Sequence, residues 1–129
     1  MRRFRLLFAI ASMSWLSAQA HHAPAVFDQT KTIVVEGTVT EFVWSNPHSW
    51  IRMDVRGKDG KVVNWSIEMN PPTYLIRAGW KSTTLKPGDP ISIVANPLRT
   101  GEPSGKFVAV TLPDGRVLGE QEAVLGEKK

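Results

Sequence analysis

The chain has three histidines, His21, His22 and His48, and no cysteine. Disulfides, thiolate metal sites, iron–sulfur clusters and cysteine nucleophiles are therefore excluded, and metal chemistry would fall to histidine nitrogens. Two of the three follow directly on Ala18-Gln19-Ala20, a small-x-small cleavage site. Before it, Arg2, Arg3 and Arg5 make a positive start, and Leu6 to Leu16 form an apolar run. That run is shorter than the ~20 residues a bilayer span needs. Residues 1–20 thus read as a signal peptide, removed on export to the periplasm or beyond, with no membrane span left after cleavage. His21 then becomes the mature N-terminus. A free α-amine titrates at about 7.7–8.0 and an ordinary imidazole at about 6.5, so both offer neutral nitrogens near neutral pH. The amine and imidazole of His21 close one chelate ring. A third imidazole, from His48 or locally from His22, completes a three-nitrogen set of the kind tetragonal Cu(II) favours. Zinc can use the same ligands, with fewer reasons for it. Against this, a loose terminal His-His pair binds Cu(II) without purpose, and His48 could simply hydrogen-bond Asn70 or cap the turn after Pro47.

Other groups gather around His48. Glu68 and Asn70 share its expected sheet face with Trp50, where they could line a polar pocket or orient a metal ligand. The plainer alternative is an exposed face with one Trp50–Glu68 cross-strand pair. Trp44 and Trp50 bracket the Asn46-Pro47-His48 turn, as an aromatic wall of a ligand cleft or as packing at a barrel end. For catalysis the signals are absent: there is no nucleophile elbow and no motif that pairs carboxylates. Ser45 and Ser49 flank His48, but neighbours on a strand do not make a triad. The residues argue against an enzyme. The formal charge of +4 also misleads. Of 16 basic residues, Arg2, Arg3 and Arg5 leave with the signal, so 13 face 12 acidic ones and the mature charge is +1. No basic cluster remains to bind phosphates, which argues against nucleic acid as a partner.

The elements that must position these residues are mostly strands. Thr32 to Ser45 is a β-branched run, with Gly37 where a strongly bent strand needs a residue without Cβ. His48 to Arg56 and Lys61 to Met69 alternate, joined through Gly57-Lys58-Asp59-Gly60. A three-residue loop ending in a left-handed Gly60 sets Gly57 opposite Lys61. It follows that Val55 faces Val63, Met53 faces Trp65, and Ile51 faces Ile67, six apolar residues on one core face. The other face pairs Asp54 with Asn64, Arg52 with Ser66, Trp50 with Glu68 and His48 with Asn70. Asn70 reads as a helix N-cap with Pro71 first in the helix, which runs through Tyr74, Leu75 and Ile76 to a stop at Gly79. Pro90 to Ala95 and Lys106 to Leu112 are two further strands, followed by a brief Arg116 to Leu118 segment. The predicted fold is all-β: a five-stranded OB-like Greek-key barrel with one short helix between strands three and four. It occupies residues 21–118 as one domain, and residues 119–129 read as a frayed tail.

Several motifs belong together: His21-His22 after Ala-x-Ala, Phe42 to Trp50, Gly79-Trp80, Leu85 to Asp89, and Thr111 to Arg116. With them the chain closely resembles a family of small exported bacterial proteins classed as a domain of unknown function. That family typically has Ser after its His-His pair, where Ala23-Pro24 stand here, so no role of that serine carries over. The resemblance implies export and a small β-rich domain, and no activity. The leading histidine separately resembles the histidine brace of secreted copper proteins, among them polysaccharide monooxygenases and periplasmic copper carriers. Two functions are compatible with these features. One is a periplasmic metal-binding protein using His21, His22 and His48. The other is a metal-free module that presents a barrel face to a peptide, small molecule or envelope partner.

Overall fold

The structure, a computed structural model, describes residues 25–126. The expected signal peptide, His21 and His22 lie outside the described residues. The elements in order are β1 (Ile33–Val43), β2 (Trp50–Arg56), β3 (Val62–Glu68), α1 (Pro72–Arg77), β4 (Pro90–Pro97), β5 (Ser104–Thr111), β6 (Val117–Gly119) and α2 (Gln121–Gly126). The sheet runs β3-β2-β1-β4-β5-β6, and a parallel β3–β5 pairing closes its first five strands into a barrel. This is the OB-type order, three strands, a helix, then two strands, with β6 appended at the edge.

β1 serves both halves of the barrel. Residues Ile33 to Thr38 pair with β4, and Thr38 to Val43 pair with β2. Thr38 is the change-over, and the register shifts again between Val39 and Glu41. At the crossing, a Cβ on Gly37 would press on the Asp54 carbonyl oxygen and lie 2.9 Å from Met53 Cε. The bent strand therefore needs glycine there for room.

The β2–β3 register is the one the alternation predicts, from Trp50 opposite Glu68 to Val55 opposite Val63. Gly60 has φ +79°, and the Gly57 N–H donates to the Lys61 carbonyl at 2.8 Å. The shared core face is only partly as expected. Ile51, Met53 and Ile67 are fully buried and Val55 and Trp65 half-buried, but Val63 is 43% exposed. β1 pairs with β2 only as far as Asp54, and at the Val55–Val63 rung beyond it Val55 still packs against the core while Val63 is left exposed.

The helix begins one residue later than predicted, with Pro71 at the cap position and Pro72 inside. The hairpin ladder causes the delay. Met69 N–H donates to Ser49 O at 2.8 Å and Ser49 N–H to Asn70 O at 3.4 Å, so the Asn70 carbonyl serves the hairpin and the Pro71 carbonyl accepts the first helical N–H groups, from Tyr74 and Leu75. Beyond Gly79, Trp80 enters the core, where its ring centroid lies 5.8 Å from Phe42 and 5.4 Å from Phe107. After β6 the chain does not simply fray, because α2 lies beside β5 with Ala123 and Val124 half-buried. The Glu120 N–H donates to Val108 O at 3.0 Å and fixes the start of that turn.

Candidate functional site

His48 sits in a turn that is tied to itself. The Ser45 hydroxyl donates to the His48 carbonyl at 2.8 Å, and the fully buried Ser49 hydroxyl donates back to the Ser45 carbonyl at 3.4 Å. The Asn46–Pro47 peptide within it is cis. The two serines therefore shape the turn and hold the His48 backbone. The His48 ring lies with Nδ1 3.2 Å from the Met69 carbonyl oxygen and 3.4 Å from Glu68 Oε1. A carbonyl only accepts, so Nδ1 carries the proton in this bond. In the neutral ring Nε2 then holds a free lone pair, and no described residue hydrogen-bonds it. Asn70 is one of the two plain partners the sequence offers for His48, the other being the turn after Pro47. The ring reaches the neighbouring Met69 carbonyl instead, while the Asn70 carbonyl accepts from Ser49.

Glu68 is gathered with His48 as the shared face implied, at 17% side-chain exposure. Its second neighbour is Lys106, whose Nζ lies 3.3 Å from the same Oε1. Sequence reasoning missed Lys106. It reaches Glu68 because the parallel barrel closure sets β3 against β5 with these two residues in register, and nothing local signals a pairing 38 residues away. Trp50 lies opposite Glu68 on β2. Trp44 meets Phe42 edge-on at 5.6 Å and lines a shallow groove of about 360 Å³ with Ile76, Gly79, Trp80, Lys81 and Ser82. Among the described residues no group of three His, Asp or Glu side chains could hold a metal ion.

The N-terminal segment is anchored to Arg99 and the end of β4. Arg99 Nε donates to the Ala25 carbonyl at 2.9 Å and the Arg99 N–H to Val26 O at 3.0 Å. Phe27 is buried and bridges Leu98, and the Asp28 N–H donates to Pro97 O at 2.8 Å. This clamp, also unseen in the sequence, lies where β4 ends and β1 begins. His48 follows the other end of β1. Closure of the barrel brings the two regions round towards each other: Pro97 pairs with Gly105 and Gly105 with Ile67, while Lys106, opposite Glu68, lines one pocket with Gln29 and Thr32.

The Thr30 hydroxyl and N–H, then the Arg99 guanidinium and Lys31 ammonium, hold the Asp28 carboxyl below its ordinary 3.8. Stability from this anchor is fully present above that ordinary value and is lost as the pH falls through the lower folded one. Urea midpoints from about pH 6 down to about pH 2.5 should fall less steeply for Asp28→Asn than for the wild type. Parallel curves would show that the anchor contributes nothing to acid sensitivity.

The model of a family of unknown function (DUF6152) matches residues 9–107. The chain belongs to this family. The match spans His21-His22, the Trp44 to Trp50 stretch, Gly79-Trp80 and the Leu85 to Asp89 turn, while Thr111 to Arg116 lies beyond it. Membership of a family of unknown function is thus as the motifs imply, and it assigns no activity. No curated protein matches the sequence. Among solved structures, the mitochondrial single-stranded DNA binding protein Rim1 of S. cerevisiae is similar, at 13% identity and a TM-score of 0.48. The likeness covers 64% of this chain and 92% of that one.

Proposed function

We propose that this DUF6152 protein is exported and binds Cu(II) through the α-amine and imidazole of His21 and the Nε2 of a His48 imidazole. What supports the reading is the state of His48: Nδ1–H engaged by Met69 O at 3.2 Å, Glu68 beside it, and a ring whose side chain is 41% exposed. Metal-ligating histidines characteristically donate their other N–H to a carbonyl or carboxylate, which fixes tautomer and ring orientation. His48 is thereby prepared as a ligand before any metal arrives. Copper suits an all-nitrogen set better than the hard cations, and zinc takes the same ligands less selectively.

The test has two parts. Intact mass of the exported protein should correspond to a chain beginning at His21; another start removes the amine chelate and ends the proposal. Titration of that mature protein with Cu(II) should then show His48→Ala weakening binding by at least about tenfold. If the affinity and the Cu(II) spectrum are unchanged in the variant, the barrel takes no part. The metal-free binding module, with the Trp44–Ile76 groove as its apolar surface, is then the better reading.

A further inference from the structure

We infer that the outer wall of the β2–β3 hairpin is a saccharide-binding face, with Trp50 as the platform on which a sugar ring stacks. The inference uses neither His21 nor His48 and stands apart from the copper reading. Of the four described tryptophans, Trp80 lies in the core and Trp44 and Trp65 pack against it. Trp50 does neither, and among the described residues no aromatic ring is paired with it. Pleat alternation explains its direction. Ile51 and Met53 are fully buried, so Trp50 and Arg52 point away from the barrel interior. The half-buried indole is a broad apolar surface on a wall of charged and hydroxyl side chains, and core packing does not account for it.

The neighbours decide what the indole receives. Glu68 faces Trp50 across the hairpin, and the closing β3–β5 pairing adds Lys106, with Nζ 3.3 Å from Glu68 Oε1. The next rung sets Arg52 opposite Ser66, and Arg52 Nε lies 3.2 Å from Glu41 Oε2. Both cations beside Trp50 are thus matched by a carboxylate, and the wall offers no field to a polyphosphate. What the pairs do offer is spare hydrogen-bonding capacity. A guanidinium has five N–H groups and an ammonium three, and each carboxylate keeps a second oxygen. An aromatic face flanked by such donors and acceptors suits a ring that is apolar on its C–H faces and rimmed with hydroxyls, which is the chemistry of a sugar. Side chains on one face recur about every 7 Å along a strand, so Trp50 and Arg52 meet successive rings of an oligosaccharide rather than a single one.

Calorimetric titration and indole fluorescence test this on the purified protein, with a chelator present to keep copper out. The probes are cellotetraose, chitotetraose and maltotetraose, each on its own. At least one should bind and change the tryptophan emission. Trp50→Ala should weaken that binding by about tenfold or more, and Arg52→Ala by about threefold. Trp50→Phe keeps an aromatic ring, so it should lose less, and it guards against a folding defect in the alanine variant. A thymidine octanucleotide should bind no better than the sugars. Failure of all three sugars at about 10 mM, or equal affinity in Trp50→Ala, overturns the inference and leaves the copper reading to its own test. Tighter binding of the oligonucleotide, lost in Trp50→Ala, overturns it in favour of nucleic acid.

Discussion

Trp80→Ala should destabilise the protein by about 3–5 kcal/mol, the loss expected when a large aromatic side chain is cut from a packed core. Trp80 is only 2% exposed, and it is the largest of the fully enclosed side chains. The stop of α1 at Gly79 delivers it into the barrel end, where Phe42 from β1 and Phe107 from β5 meet its ring. The alanine variant leaves a cavity touching β1 and β5, which are not paired with each other, so no single shift of backbone can fill it. Against a total of roughly 5–15 kcal/mol for a small domain, the loss should lower the melting temperature by about 10 °C or more. Trp65→Ala is the internal comparison. Its ring is half-buried, and its removal should cost clearly less. Thermal and urea unfolding of the two variants check this. Equal losses would mean that the barrel end is not packed around Trp80.

Gly37→Ala should be among the most damaging additions of a single methyl group. The new Cβ meets a backbone oxygen, that of Asp54, together with the Cε of the fully buried Met53 at 2.9 Å. A flexible side chain could turn aside. The Asp54 carbonyl cannot, because Asp54 pairs with Thr38 at the residue where β1 changes partner. Relief requires β1 and β2 to separate at the crossing that both halves of the barrel share. Overpacking of this kind costs about 1–3 kcal/mol, and more where the neighbour is fixed backbone. Denaturant unfolding measures it, and an alanine variant as stable as wild type would show that the crossing has slack.

Much of this architecture is written in short-range pattern. Alternation over Ile51 to Val55 and Val63 to Ile67, with the Lys58-Asp59-Gly60 loop, sets the hairpin register, because a slip of one residue would turn every apolar side chain outward. Gly37 and Gly79 mark the bend and the helix stop through steric demands that a single residue can state. The order of strands and helix then points to the barrel. Closure is different. The β3–β5 pairing that sets Lys106 beside Glu68 joins residues 38 apart and depends on twist and stagger summed over every strand between them. The same sum decides that Val63 is left exposed, that His48 turns to the Met69 carbonyl rather than to Asn70, and that the clamp on Ala25 to Asp28 forms against the end of β4. The sequence by itself determined which residues have the chemistry, since residue type and local spacing are properties of the chain. Only the tertiary structure decided which of them stand together, since that follows from how a twisted, staggered sheet closes on itself.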